Sequence, residues 1–133
     1  EKVLSTTLGD MIQRLRNVSS INIKLELLNV EEIEDELIEN IIFSVVQESL
    51  NNAIKHSRCS TIDLQVVNSG DEVTVMVEDN GKGFRKEEVE HGLGLSQIRT
   101  KVQNVGGTID IDSMVGRGTI VTIEIPTKKI FEV

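Results

Sequence analysis

The sequence has 133 residues, 27% of them charged, with three Phe, no Trp, no Tyr and a formal net charge of −8. That length suits one domain with an aliphatic core, burying about two thirds of its unfolded surface. The acidic balance argues against a nucleic-acid surface, which needs clustered Lys and Arg. No apolar run reaches the ~20 residues of a membrane span, and no signal-peptide pattern is evident. A single cysteine, Cys59, makes no internal bridge and suits a reducing, cytoplasmic setting. In chain order, residues 2–18 carry apolar side chains at helical spacing (Leu4, Leu8, Met11, Ile12, Leu15), with Gly9 among them. "INIKLELL" alternates and predicts a strand over 21–28. Glu31 to Asp35 form an acidic first turn, and a long helix is expected from about Ile33 to His56, stopping near Ser57-Arg58. "STIDLQVVNSGDEVTVMVED" predicts two strands joined at Asn68-Ser69-Gly70-Asp71. A glycine-rich segment runs from Asn80 to Gly94. "LSQIRTKVQNV" predicts a short helix closed by Gly106-Gly107. "TIDIDSM" and "TIVTIEIP" predict two strands around the turn Val115-Gly116-Arg117-Gly118, ended by Pro126. The expected fold class is α/β (α+β): a two-layer sandwich of a mixed, mostly antiparallel sheet of about five strands, covered on one face by about three helices.

Three stretches carry chemistry. In the long helix, Val46, Leu50 and Ala53 form the core stripe, while Glu36, Asn40, Gln47 and Asn51 can face water. Glu48, Asn52 and Lys55 follow i, i+4, i+7 on a third line. A carboxylate, an amide oxygen and an ammonium in a row are groups that a Mg²⁺-nucleotide uses, because the hard cation takes oxygen ligands and Lys neutralises phosphate. A broad solvated face would place the same residues there. In "VEDNGKGF", Asp79 ends a strand where its carboxylate could accept from an exocyclic amine, and Gly81 and Gly83 would let the backbone pass close to a flat ligand. A plain Asp-Asn-Gly turn is the simpler alternative, but no alternating strand follows it. In "HGLGLSQIR", Gly92 and Gly94 precede a helix, whose N-terminal N–H groups favour phosphate. Neither a dinucleotide-binding fingerprint in a parallel βαβ unit nor a P-loop occurs.

Taken together, "QESLNNAIKH", "DNGKGF", "GLGL" and the closing "GGTIDIDSMVGRGTIVTIEIP" give the chain a resemblance to the catalytic and ATP-binding domain of two-component sensor histidine kinases. That domain has the GHKL, or Bergerat, fold, and the resemblance covers nearly the whole chain. In detail it is similar to the NarX/DesK-like subfamily, whose N-box reads Q-E-x-x-x-N-x-x-K-H and whose segment between the glycine motifs is short. The resemblance implies ATP and Mg²⁺ as cofactors. It implies that Asn52 coordinates the metal and that Glu48 helps hold it or accepts the proton of the attacking imidazole. Lys55 would contact phosphate, with His56 beside it. Asp79 would read the adenine amine, and Thr119 would support adenine from the start of the last strand. Gly81, Gly83, Gly92 and Gly94, with Leu95 next to them, would hinge the lid and admit the nucleotide. The resemblance leaves Arg99 and His91 unassigned.

Residues 1–133 are then expected to form one ATP-binding catalytic domain, a fragment of a cytoplasmic or membrane-anchored parent. It would donate the γ-phosphoryl group to a histidine on a separate helical-hairpin phosphoacceptor domain, with a response regulator further downstream. It would contact neither nucleic acid nor membrane. Two alternatives share the fold: a serine-specific anti-sigma-factor kinase, and an ATP-gated conformational module of the topoisomerase or chaperone type.

Overall fold

The computed structural model describes residues 4–85 and 95–127. Helix α1 (Leu4–Val18) buries Leu4, Leu8, Met11 and Ile12, the stripe that helical spacing predicts. Strand β1 (Asn22–Leu28) follows, then a single 3-10 turn at Val30–Glu32. Helix α2 (Glu36–Asn52) starts three residues later than its acidic run suggests. The reason is local. Asp35 is the N-cap, its carboxylate accepting the Leu37 N–H at 2.9 Å, and Ile33 is already extended. Helix α2 then widens into a π turn at Ala53–Ser57, and Arg58 ends it in the left-handed region.

Strands β2 (Thr61–Asn68) and β3 (Glu72–Asp79) form the expected hairpin. Helix α3 (Leu95–Asn104) is closed by paired bonds from Gly106 N–H to the Gln103 carbonyl and from Gly107 N–H to the Val102 carbonyl. Strands β4 (Thr108–Met114) and β5 (Gly118–Pro126) complete the sheet.

The sheet order is β1-β2-β3-β5-β4. Only β1 and β2 run parallel, because α2 lies between them in sequence and supplies the crossover such a pair needs. The other three pairings are antiparallel. Ile62, Leu64, Val75, Ile123 and their inward neighbours meet Leu8, Ile42, Val46 and Leu50 in one aliphatic core. The opposite sheet face carries exposed Lys24, Glu26, Asp63 and Glu78. Among the described residues the architecture is therefore the two-layer arrangement of five strands and three helices expected.

One feature of register positions the site. Asp79 pairs with Thr119, and Thr119 with Ser113. Three polar residues therefore stand abreast on β3, β5 and β4, at one end of a sheet face whose next row is Val77, Val121 and Ile111. Beside that row, Asn80 fastens the neighbouring strand. Its Oδ1 accepts from the Ser60 and Thr61 N–H groups at 2.9 and 3.0 Å, and its Nδ2 donates to Ser60 Oγ at 2.9 Å.

Candidate functional site

The polar row faces the end of α2 across a cleft. Ser49, Asn52, Ala53 and His56 line its helical side, while Val77, Asp79, Ile111, Thr119 and Val121 line its floor. Phe84 and Leu95 stand at either end of the 86–94 stretch and close two corners. The cleft measures about 430 Å³ counted to its open mouth.

The polar groups on its floor are buried. Asp79 is 8% exposed and Thr119 6%. Asp79 Oδ1 accepts the Gly81 N–H at 2.8 Å, so the glycine loop folds back on the carboxylate that precedes it. A carboxylate has acceptor capacity beyond that one bond. Opposite it, Ser49 Oγ and Asn52 Nδ2 are buried with no hydrogen-bond partner among the described residues. Orphaned buried polar atoms cost about 1–3 kcal/mol each, and native proteins keep them where a ligand or solvent completes the bond.

Glu48 lies on the same helix, one turn before Asn52. Its Oε1 accepts from Lys101 Nζ of α3 at 2.7 Å, and Lys101 also donates to Ser44 Oγ at 2.6 Å. With side chains 42% and 23% exposed, the pair adds little stability. What it does is fix the carboxylate's direction and fasten α3 to α2.

The structure thus brings together Asn52, His56, Asp79, Leu95 and Thr119 around one cleft. Lys55 is exposed and is not part of the lining. Ser49, Asn52, Ala53 and His56 follow i, i+3, i+4, i+7, one helical face, and the bonding relaxes to i→i+5 over Ala53–Ser57. Gly83 proves to be packed against protein. Its φ is +70°, a Cβ there would overlap the Met114 carbonyl, and the adjacent Lys82 carbonyl accepts the Gly116 N–H at 2.6 Å. The loop is strapped to the β4–β5 turn, with Lys82 Nζ 5.6 Å from the Phe84 ring centroid. Arg99 is exposed. Gly92, Gly94 and His91, with most of the expected lid, lie outside the described residues.

Sequence reasoning missed Ser49, Phe84 and Ser113. Ser49 had a signal: it falls in the Val46, Leu50, Ala53 stripe, where a polar residue has no packing reason to be. Ser113 had none, since alternation marks its face but not its partner.

The family described as Histidine kinase-, DNA gyrase B-, and HSP90-like ATPase matches residues 37–129, from the start of α2 past the end of β5. The chain belongs to this family. Among proteins similar to this ATPase-family chain is the oxygen sensor histidine kinase NreB of Staphylococcus carnosus. It is 36% identical over 94 residues, covering 69% of this chain and 27% of that protein. The signal transduction histidine-protein kinase/phosphatase DegS of Bacillus subtilis is 35% identical over 112 residues, covering 78% and 29%. The sensor protein VraS of Staphylococcus aureus is 30% identical over 128 residues, covering 92% and 36%. The chain therefore spans about a third of the length of the curated relatives it matches. The histidine kinase domain of the blue-light activated histidine kinase EL346 from Erythrobacter litoralis has the same fold. Its TM-score is 0.79 at 29% identity, over 94% of this chain and 61% of that one. Among the described residues no helix is long and apolar enough to cross a membrane.

Proposed function

We propose that this chain binds Mg-ATP in the cleft and presents the γ-phosphoryl group to a histidine on a separate phosphoacceptor domain of a longer kinase, in two-component signalling. In this reading residues 1–133 are one cytoplasmic catalytic domain. The observation that carries it is the pair of orphaned polar atoms on α2, Ser49 Oγ and Asn52 Nδ2, set across a largely apolar cleft from the Asp79 carboxylate and Thr119. An apolar slot with a few convergent polar groups suits a purine: flat faces between aliphatic walls, edge atoms on the polar row.

The residues present fit Mg²⁺. Asn52 offers a side-chain oxygen at the cleft edge, and Glu48 offers a carboxylate one turn away. No group of three or more His, Cys, Asp or Glu that could cage a metal occurs among the described residues. That suits a cation which keeps several waters and binds largely through the nucleotide's own phosphates. When bound, the metal would neutralise phosphate charge as the phosphoryl group leaves. Glu48, aimed by Lys101, would accept the proton of the attacking imidazole. Lys55 and His56 stand at the same helix end for the phosphates, and Lys55 is exposed and so able to reach outward. Phosphoryl transfer is mostly positioning and charge neutralisation, so this equipment suffices on the donor side.

The test is incubation with γ-labelled Mg-ATP, alone and with a helical hairpin bearing a histidine beside an acidic residue. The isolated chain should bind nucleotide without labelling itself, and Asn52→Ala should bring affinity in Mg²⁺ down to its metal-free level. The added hairpin should acquire label that is lost in acid and survives base. Strong acid-labile label on the chain alone would overturn the proposal. Acid-stable label on an added serine-bearing protein would favour the anti-sigma-factor type of kinase instead.

A further inference from the structure

Behind the base-reading pair stands a third hydroxyl. Ser113 Oγ lies 2.8 Å from Thr119 Oγ1 and 3.3 Å from the Gly118 carbonyl, and it accepts the Phe84 N–H at 2.8 Å. Its side chain is bonded both to Thr119 and to the backbone that leads into the 86–94 stretch. We infer that Ser113 is a positioning residue for nucleotide recognition, which turns the Thr119 hydroxyl outward as a donor to the ring nitrogen next to the adenine amine. The inference rests on the nucleotide reading above and adds a residue to it.

A hydroxyl has one proton and two lone pairs. Phe84 N–H occupies one lone pair of Ser113, so Ser113 has one proton left to give, either to Gly118 or to Thr119. With the cleft empty, giving it to Gly118 lets Thr119 donate to Ser113, and the chain of bonds closes on the protein. A ring acceptor in the cleft reverses the chain. Ser113 then donates to Thr119 across the short contact, and Thr119 donates to the ligand, strengthened by the bond it receives. The bond given up is the longer one, at 3.3 Å. Asp79 and Thr119 are a register pair on adjacent strands, about 5 Å apart, so their side chains address neighbouring atoms of one ligand edge. An acceptor beside a donor complements the amine and adjacent ring nitrogen of adenine.

The relay is read out atom by atom. Ser113→Ala should weaken ATP binding by roughly threefold to tenfold, the scale of one net hydrogen bond. It should leave 1-deaza-ATP, which lacks that ring nitrogen, bound as by the unsubstituted protein. Ser113→Thr, which keeps the hydroxyl, should retain full ATP affinity. In a Thr119→Val background Ser113→Ala should cost nothing more. If the alanine variant does not fold, Ser113→Cys, close in volume with a weak donor, carries the same comparison. An equal loss for ATP and 1-deaza-ATP, an additive loss in the Thr119→Val background, or no loss at all would overturn the inference. The wild-type titration separates the two levels: failure to bind ATP removes the nucleotide reading, whereas normal binding with an indifferent Ser113 variant removes only the relay.

Discussion

Replacing Asp79 with Asn should turn the cleft's base preference from adenine toward guanine. The substitution keeps the shape of the side chain and changes one chemical property. Asp79 Oδ1 accepts the Gly81 N–H, and an amide there must keep its oxygen in the same place to satisfy that bond. The amide nitrogen is then forced toward the position of the second carboxylate oxygen, so an acceptor becomes a donor. Facing the amine of adenine, a donor meets a donor; facing the carbonyl of guanine, it meets an acceptor. At 8% exposure little water can relieve the mismatch. The cost is about 1–3 kcal/mol, or roughly fivefold to more than a hundredfold in affinity. Competition calorimetry with ATP and GTP should show ATP losing by that factor and GTP gaining. An unchanged ATP-to-GTP ratio would remove Asp79 from base recognition.

Gly118→Ala should be the most damaging small substitution in the sheet. Gly118 has φ +106°, and a Cβ there would overlap the Asp79 carbonyl oxygen. The alanine must therefore suffer backbone strain and also push β5 away from β3 at the register pair that forms the cleft floor. A loss of about 2–4 kcal/mol is expected from strain and displaced pairing together. Gly116→Ala is the control. It also has positive φ, +87°, but nothing lies within 4 Å of the added carbon, so it should lose about 1 kcal/mol. Urea unfolding of both variants separates clash from strain. Equal losses would mean that the Asp79 contact is not what fixes Gly118.

Elements with strong periodicity were legible in the chain, and so was the order of the sheet's hairpins. Strand β4 matches its predicted segment, Thr108–Met114, and β5 begins one residue before its own, at Gly118, because alternation and turn residues agree there. The start of α2 was not legible. Acidic residues favour a helix N-terminus, but here Asp35 caps through its side chain and leaves Glu31 to Glu34 outside. The π turn escaped for a deeper reason. Nothing in "AIKHS" distinguishes i→i+4 from i→i+5 bonding, which tertiary packing decides. Among residues that line the cleft, Asp79 and Thr119 stand in motifs that the sequence displays. Ser113 and the Lys101–Glu48 pair were not legible, since both join segments more than five residues apart whose approach only the fold creates.

The placing of Phe84 and Leu95 at two corners bears on how fast the cleft can fill. If these side chains must part before a purine reaches the floor, entry is gated. Binding then selects a minority form, and the measured dissociation constant is the intrinsic one divided by the fraction of molecules open. If about one molecule in a hundred is open, affinity falls about a hundredfold, equivalent to ~2.7 kcal/mol, with every contact in the bound state unchanged. Stopped-flow binding rates should accordingly level off as nucleotide is raised, at the rate of opening; a rate that climbs in proportion to concentration throughout would mean the walls part too fast to matter. Substitutions at Phe84 and Leu95 would then tune affinity by changing how often the cleft opens, while the chemistry on its floor stays as it is.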